Sequence, residues 1–188
     1  MSEERDNLTD LMTMLLEDVG DDGKMDEFGL NLAYGYFRAA ILDNTLKDEK
    51  DIEDFIAEFK GIPQAHQFFN QILLYTGNPP NLLDSSISSQ KESLTKFLLH
   101  LEGSDSLINK MDVLGFQTLV DQGDDESILK ILELGFDINK QGPFGVTLLG
   151  TLLSSKKLRS LIGWFKDLMK KLIITTKMAI KDRCYLMP

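Results

Sequence analysis

The chain has 188 residues, 43% of them hydrophobic, with 30 acidic and 20 basic side chains and a formal net charge of −10. That composition supports one sizeable core or two small ones and carries no signature of disorder. A single cysteine, Cys184, excludes an internal disulfide. The start Met1 to Asp6 is too acidic for a signal peptide and no apolar run reaches the roughly 18 to 20 residues that span a bilayer, so a reducing, cytoplasmic setting is expected.

Helical periodicity dominates from the first residues. Leu8, Leu11, Met12, Leu15 and Leu16 predict a first helix, capped at Asn7 or Ser2 and stopping at Val19-Gly20. A second pattern runs through Leu30, Leu32, Tyr34, Phe37, Ala40 and Ile41, and a third through Ile52, Phe55, Ile56 and Phe59 to Gly61-Ile62-Pro63. A fourth, His66 to Tyr75, ends at Gly77-Asn78-Pro79-Pro80, where proline forbids continuation. This break divides the chain into an N-terminal helical region, residues 1–76, and a second region, 77–188.

A recurrence organises the second region. Glu92-Ser93-Leu94-Thr95-Lys96-Phe97-Leu98 matches the pattern of Glu126-Ser127-Ile128-Leu129-Lys130-Ile131-Leu132, 34 positions on. Each then meets a glycine, an aspartate and Ile-Asn: Gly103, Asp105 and Ile108-Asn109-Lys110, then Gly135, Asp137 and Ile138-Asn139-Lys140. Apolar stretches follow at Gly115 and at Gly145, and a third copy continues through Thr147-Leu148-Leu149 into Leu158, Leu161, Ile162 and Phe165 without its closing glycine and aspartate. Gly103 and Gly135 read as helix stops, since glycine tolerates left-handed backbone. Ile128, Ile131, Leu132 and Leu134 predict a packing stripe, with Lys130 and Glu133 outward. Two to three such units are expected to stack, burying a core only against their neighbours.

These residues resemble the ankyrin repeats. Ile128 to Asn139 is similar to the end of an ankyrin unit and Gly145-Val146-Thr147-Leu148-Leu149 to the start of the next, with the family's proline and histidine replaced by Leu148 and Leu149-Gly150; Pro80-Asn81-Leu82-Leu83 resembles a diverged earlier start. The resemblance covers roughly residues 77–170 and implies an all-α stack of short helical repeats. Residues 1–76 are then an N-terminal cap or further diverged units. It also implies partner contacts at the turn tips: Lys110, Met111, Asp112 and Val113 in one unit, and Lys140, Gln141, Pro143 and Phe144 in the next. Phe144 is there either an exposed anchor or packed under its own loop.

Charge varies along the chain. Residues 1–60 hold 17 acidic and 6 basic side chains, residues 61–154 hold 11 and 5, and residues 155–188 hold 2 and 9. An acidic body repels nucleic-acid phosphates and attracts cationic protein surfaces, although surplus carboxylates also serve solubility alone. The basic stretch carries an apolar stripe, Leu158, Leu161, Ile162, Phe165, Leu168, Met169, Leu172 and Ile173. It is expected to be the second helix of the last unit, buried against Leu148, Leu149 and Leu152, in preference to a membrane-surface helix.

Chemistry is not announced. Asp18 to Gly29 places Gly23 at the sixth position of a calcium loop but has Gly20 at the third and Gly29 where a bidentate glutamate belongs. His66 and His100 lack ligands at metal spacing, and Ser85, Ser86, Ser88 and Ser89 near Asp84 lack a nucleophile turn. No catalytic residue, metal or cofactor is therefore expected. The sequence favours a non-enzymatic protein-interaction module, in sharper form an acidic inhibitor or immunity protein masking a basic site on a toxin or enzyme. The alternatives are an ankyrin-type effector binding a host protein and a hydrolase on an unusual helical fold.

Overall fold

A computed structural model describes residues 3–20, 23–137, 139–142, 145 and 147. Among them the fold is all-α: α1 (Glu3–Glu17), α2 (Glu27–Leu42), α3 (Glu49–Ala57), α4 (Ala65–Leu73), α5 (Leu82–Ser88), α6 (Glu92–His100), α7 (Asp105–Lys110), α8 (Val113–Gln122) and α9 (Asp125–Glu133). Among these residues one antiparallel bridge joins Gln141 to Thr147.

Side-chain caps fix where several helices begin. Asp26 accepts from the Gly29 N–H, Asn81 from Asp84 and Asp112 from Leu114, opening α2, α5 and α8. Each supplies an acceptor to a backbone donor that the helix leaves unpaired. Left-handed residues follow the same three helices: Asn44 after α2, Gln90 after α5 and Gly123 after α8. Gly103 and Gly135 also have positive φ, 86° and 96°, as expected of residues that end helices.

The helices then pack in two rows. α2 lies against α5 and α5 against α8, while α3 lies against α6 and α6 against α9. α5 pairs with α6, and α8 with α9, so two hairpins lie side by side, first helix on first and second on second. α4 joins α2 to α3, α1 packs on α2, and α7 sits on α5.

One hydrophobic cluster runs from Leu8 to Phe136 through both rows. Its N-terminal part is aromatic: Phe37, Phe55, Phe59, Phe68 and Phe69 meet with ring centroids 5.1–6.3 Å apart, mostly tilted or edge-on. Burying each such ring contributes about 1.5–3 kcal/mol. Arg5 spans α1 to α3, pairing with Glu58 at 2.7 Å with its guanidinium over Phe55. The segment Gly77–Pro80 is a non-helical turn beside this continuous core, and the Tyr34 hydroxyl donates to the Pro80 carbonyl.

Several expectations are corrected. Asn7 lies inside α1, so it caps nothing. Leu32 faces outward on α2, 39% exposed. Gly115 and Gly145 are not equivalent: Gly115 is helical, in the first turn of α8, whereas Gly145 sits in a turn with φ of 71°. Likewise Asn109-Lys110 ends helix α7, whereas Asn139-Lys140 is turn and loop. The Ile-Asn-Lys recurrence therefore marks two different local structures. The reason is local: Asp105 to Lys110 has Leu107 and Ile108 to bury against α5 and closes a helical turn, whereas the Asp137 side chain accepts from the Asn139 N–H at 2.9 Å and bends the chain.

Candidate interaction surface

The two hairpin turns stand next to each other at one end of the rows. Gln90 takes φ of 56° between α5 and α6, and Gly123 takes 80° between α8 and α9. Gln122 ties them together by donating from Nε2 to the Ile87 carbonyl at 3.1 Å. Between the turns lies an open cleft of about 860 Å³, lined among others by Glu92, Lys96, Asp121, Asp124, Asp125 and Glu126.

Among the described residues, five carboxylates and one ammonium line this cleft. Lys96 bridges the hairpins, 2.8 Å from Glu126 and 2.8 Å from Glu92, and these two contacts, that to Glu126 foremost, raise its pKa above the ordinary lysine value. Asp124 caps α9 through the Ser127 N–H. The cleft keeps a net negative charge, and low-dielectric walls focus such a field outward toward cations. Counting charge by segment marks residues 61–154 as acidic without locating this cluster. The convergence of these carboxylates depends on the side-by-side hairpins, which no local pattern encodes.

The residues expected at the turn tips separate into different roles. Lys110 and Asp112 are exposed, but Met111 is fully buried and Val113 nearly so. Both apolar side chains are core, because the α7–α8 junction folds them inward beneath the capping Asp112; neither is available to a partner. Lys140 is half-buried and already engaged, donating from Nζ to the Met111 carbonyl at 2.7 Å and lying 5.7 Å from the centre of the Phe136 ring. It braces the junction from the far side. Gln141 is exposed and forms the bridge to Thr147. Pro143 and Phe144 lie outside the described residues, as do the basic stretch and Cys184.

Behind this junction sits a buried acid that the sequence shows only as the neighbour of a run of serines. Asp84, 8% exposed, accepts at Oδ1 from the Asp112 N–H at 3.2 Å. Burial pushes its carboxyl up to about 6, opposed by that hydrogen bond and by the positive charge of Lys140. Neighbouring Ser85 and Ser86 are also buried; their hydroxyls donate to the Asn81 and Leu83 carbonyls, and Ser86 meets Thr95 at 2.9 Å. These hydroxyls pair with backbone and packing groups inside the fold. Asp84 lines neither the cleft nor any groove described below, so its perturbed titration reflects packing. His66 and His100 are exposed on α4 and α6. In the stretch read against a calcium loop, Asp26 is a helix cap and Gly29 is helical.

Comparison with protein-family models, with curated proteins and with solved structures finds no match to this chain. Among the described residues no helix is long and apolar enough to cross a membrane, and no group of three or more His, Cys, Asp or Glu is arranged to hold a metal ion.

Proposed function

We propose that the protein is a non-enzymatic protein-interaction module, built as a short ankyrin-like stack in a cytoplasm-type compartment, that covers a basic surface of another protein. Its sharper form is an acidic inhibitor or immunity protein masking the basic site of a toxin or enzyme. The observation that carries this reading is the cleft between the hairpin turns, lined among the described residues by five carboxylates and one lysine, two of the carboxylates paired with that lysine. Two hairpins packed first helix on first and second on second support the stacked-repeat part of the reading. An open, negatively charged cleft accelerates encounter with a cationic protein and disfavours nucleic acid.

The test is capture from the native host at low and high ionic strength with the wild-type chain and a variant carrying Asp121→Asn, Asp125→Asn and Glu126→Gln. A basic protein retained by the wild type, released by salt and retained less by the variant is the expected result. A partner without basic surface, or retention indifferent to both salt and substitution, would refute it.

A further inference from the structure

α2 has too much apolar surface for the contacts it makes. Of its 16 residues only Glu27, Asn31 and Arg38 carry polar or charged side chains other than tyrosine hydroxyls. Its inner face, with Ala33, Tyr34, Phe37, Ala40 and Ile41, is buried against neighbouring helices. Those three polar residues share one narrow stripe, and a helix apolar over most of its circumference is normally enclosed, yet the outer arc of α2 is open. Phe28 is 79% exposed, Tyr36 50%, Leu42 42% and Leu32 39%. These positions fall on one side of the helix through all four turns.

The middle of that face is shaped to receive something. Phe28, Leu32 and Tyr36, with Asn31 at one edge, stand around Gly35 and Ala39 and leave a shallow trough of about 390 Å³. Gly35 is helical, its φ is ordinary, and nothing lies within 4 Å of where its Cβ would be, so nothing within the described fold requires a glycine. Glycine inside a helix costs stability. A small residue set between large apolar ones is the hole into which a side chain of a crossing helix fits.

Charge decides the occupant. Asp26 and Glu27 lie exposed at one end of the face; at the other, Asp43, Asp48 and Asp51 outnumber the neighbouring Lys47 and Lys91, while Arg38, at the edge, is turned to the Ser85 hydroxyl at 2.9 Å. A second copy laid antiparallel on this face would set carboxylates against carboxylates. An anionic membrane would be repelled by them. We propose that the outer face of α2 seats a helix of the partner protein that is apolar along one side and rich in lysine and arginine toward its ends, with a large side chain entering the trough over Gly35. This deepens the proposed function and rests on its cationic-partner reading.

Three labelled synthetic peptides test it against the full chain by fluorescence anisotropy: an amphipathic Leu/Lys helix, a scrambled peptide of the same composition, and a Leu/Glu amphipathic helix. The first is expected to bind, the other two to bind at least about tenfold more weakly, and the Leu32→Gln/Tyr36→Gln and Gly35→Gln variants to lose about tenfold, as for loss of an interface anchor. All three positions are solvent-facing, so circular dichroism is expected to show unchanged folding; variants that unfold are replaced by Phe28→Gln, which the proposal requires to weaken binding as well. Equal binding of the Leu/Lys helix and its scramble, unaffected by the α2 variants, would overturn the α2 seat while leaving a cationic partner in place. Equal binding of Leu/Lys and Leu/Glu helices, or binding by no peptide, would overturn the stated partner chemistry. A photo-crosslinker at Tyr36 that captures the same chain or a second copy before peptide is added, or flotation with lipid vesicles abolished by the α2 variants, would overturn the proposal in favour of that other occupant.

Discussion

Two helical glycines, Gly35 and Gly115, look alike in sequence and do opposite things. A Cβ on Gly115 would stand 2.7 Å from Asp84 Oδ1 and 3.2 Å from the Met111 methyl, and Asp84 is buried and held by the Asp112 N–H. Gly115→Ala is therefore expected to destabilise the protein by roughly 1–3 kcal/mol through overpacking. Gly35→Ala meets nothing and is expected to stabilise by roughly 0.5–1 kcal/mol. Urea melts of the two single variants check both signs. Asp84 itself makes stability depend on pH. Burial pushes its carboxyl up to about 6 in the fold, against about 3.9 for an ordinary aspartate, so the native state holds the proton more tightly. The associated stability is fully present below about pH 4 and is lost as pH rises through 6, on the order of 3 kcal/mol in all. Asparagine keeps an acceptor for the Asp112 N–H without a charge to desolvate. Asp84→Asn is expected to raise stability at pH 7 and to flatten the fall between pH 4 and 6, measured by denaturant titration at several pH values.

At the level of helices, the turns are the adjustable parts. Gln90 and Gly123 occupy matching left-handed positions, but only one of them is a residue without a Cβ. Gln90→Gly should relieve a backbone cost and stabilise by about 1 kcal/mol, and Gly123→Ala should cost about as much. If thermal melts show Gln90→Gly to be destabilising, the side chain contributes more to the cleft than its backbone strain costs. The same turns explain which helices the sequence disclosed. α1, α3, α4, α6 and α9 each bury one stripe and expose the other side, so their apolar spacing is readable. α5 is not, because Leu82 to Ile87 are all buried, including Asp84, Ser85 and Ser86. Its hydroxyls are satisfied by carbonyls a turn back, which erases the polar face that periodicity needs. α7 is six residues long, too short for a period to show, and the Ile-Asn-Lys recurrence places a turn tip at Lys110, where the chain is still helical. The outer face of α2 escaped for another reason: apolar spacing says that a helix has a buried side but not that its second apolar side is left open.

Taken whole, the molecule carries a net charge of −10, and the side-by-side hairpins gather part of it around one cleft. Like charges held together by folding weaken the compact state, so a surface kept acidic for a partner and a surface kept acidic for solubility differ in a measurable way. The Asp121→Asn, Asp125→Asn, Glu126→Gln variant is expected to melt at a higher temperature than the wild type at low ionic strength. The gap should narrow as salt shortens the screening length from about 30 Å at 0.01 M to about 8 Å at 0.15 M. Part of the gain is offset because Glu126 is one of the two carboxylates that hold Lys96, so Asp125→Asn alone should gain without that offset. Scanning calorimetry across a salt series reads both terms. A stabilised variant that also loses the cationic partner has the stability-for-function exchange expected of a binding surface. A stabilised variant that keeps the partner identifies the cleft carboxylates as solubilising charge, and binding must then be sought on another face of the helical rows.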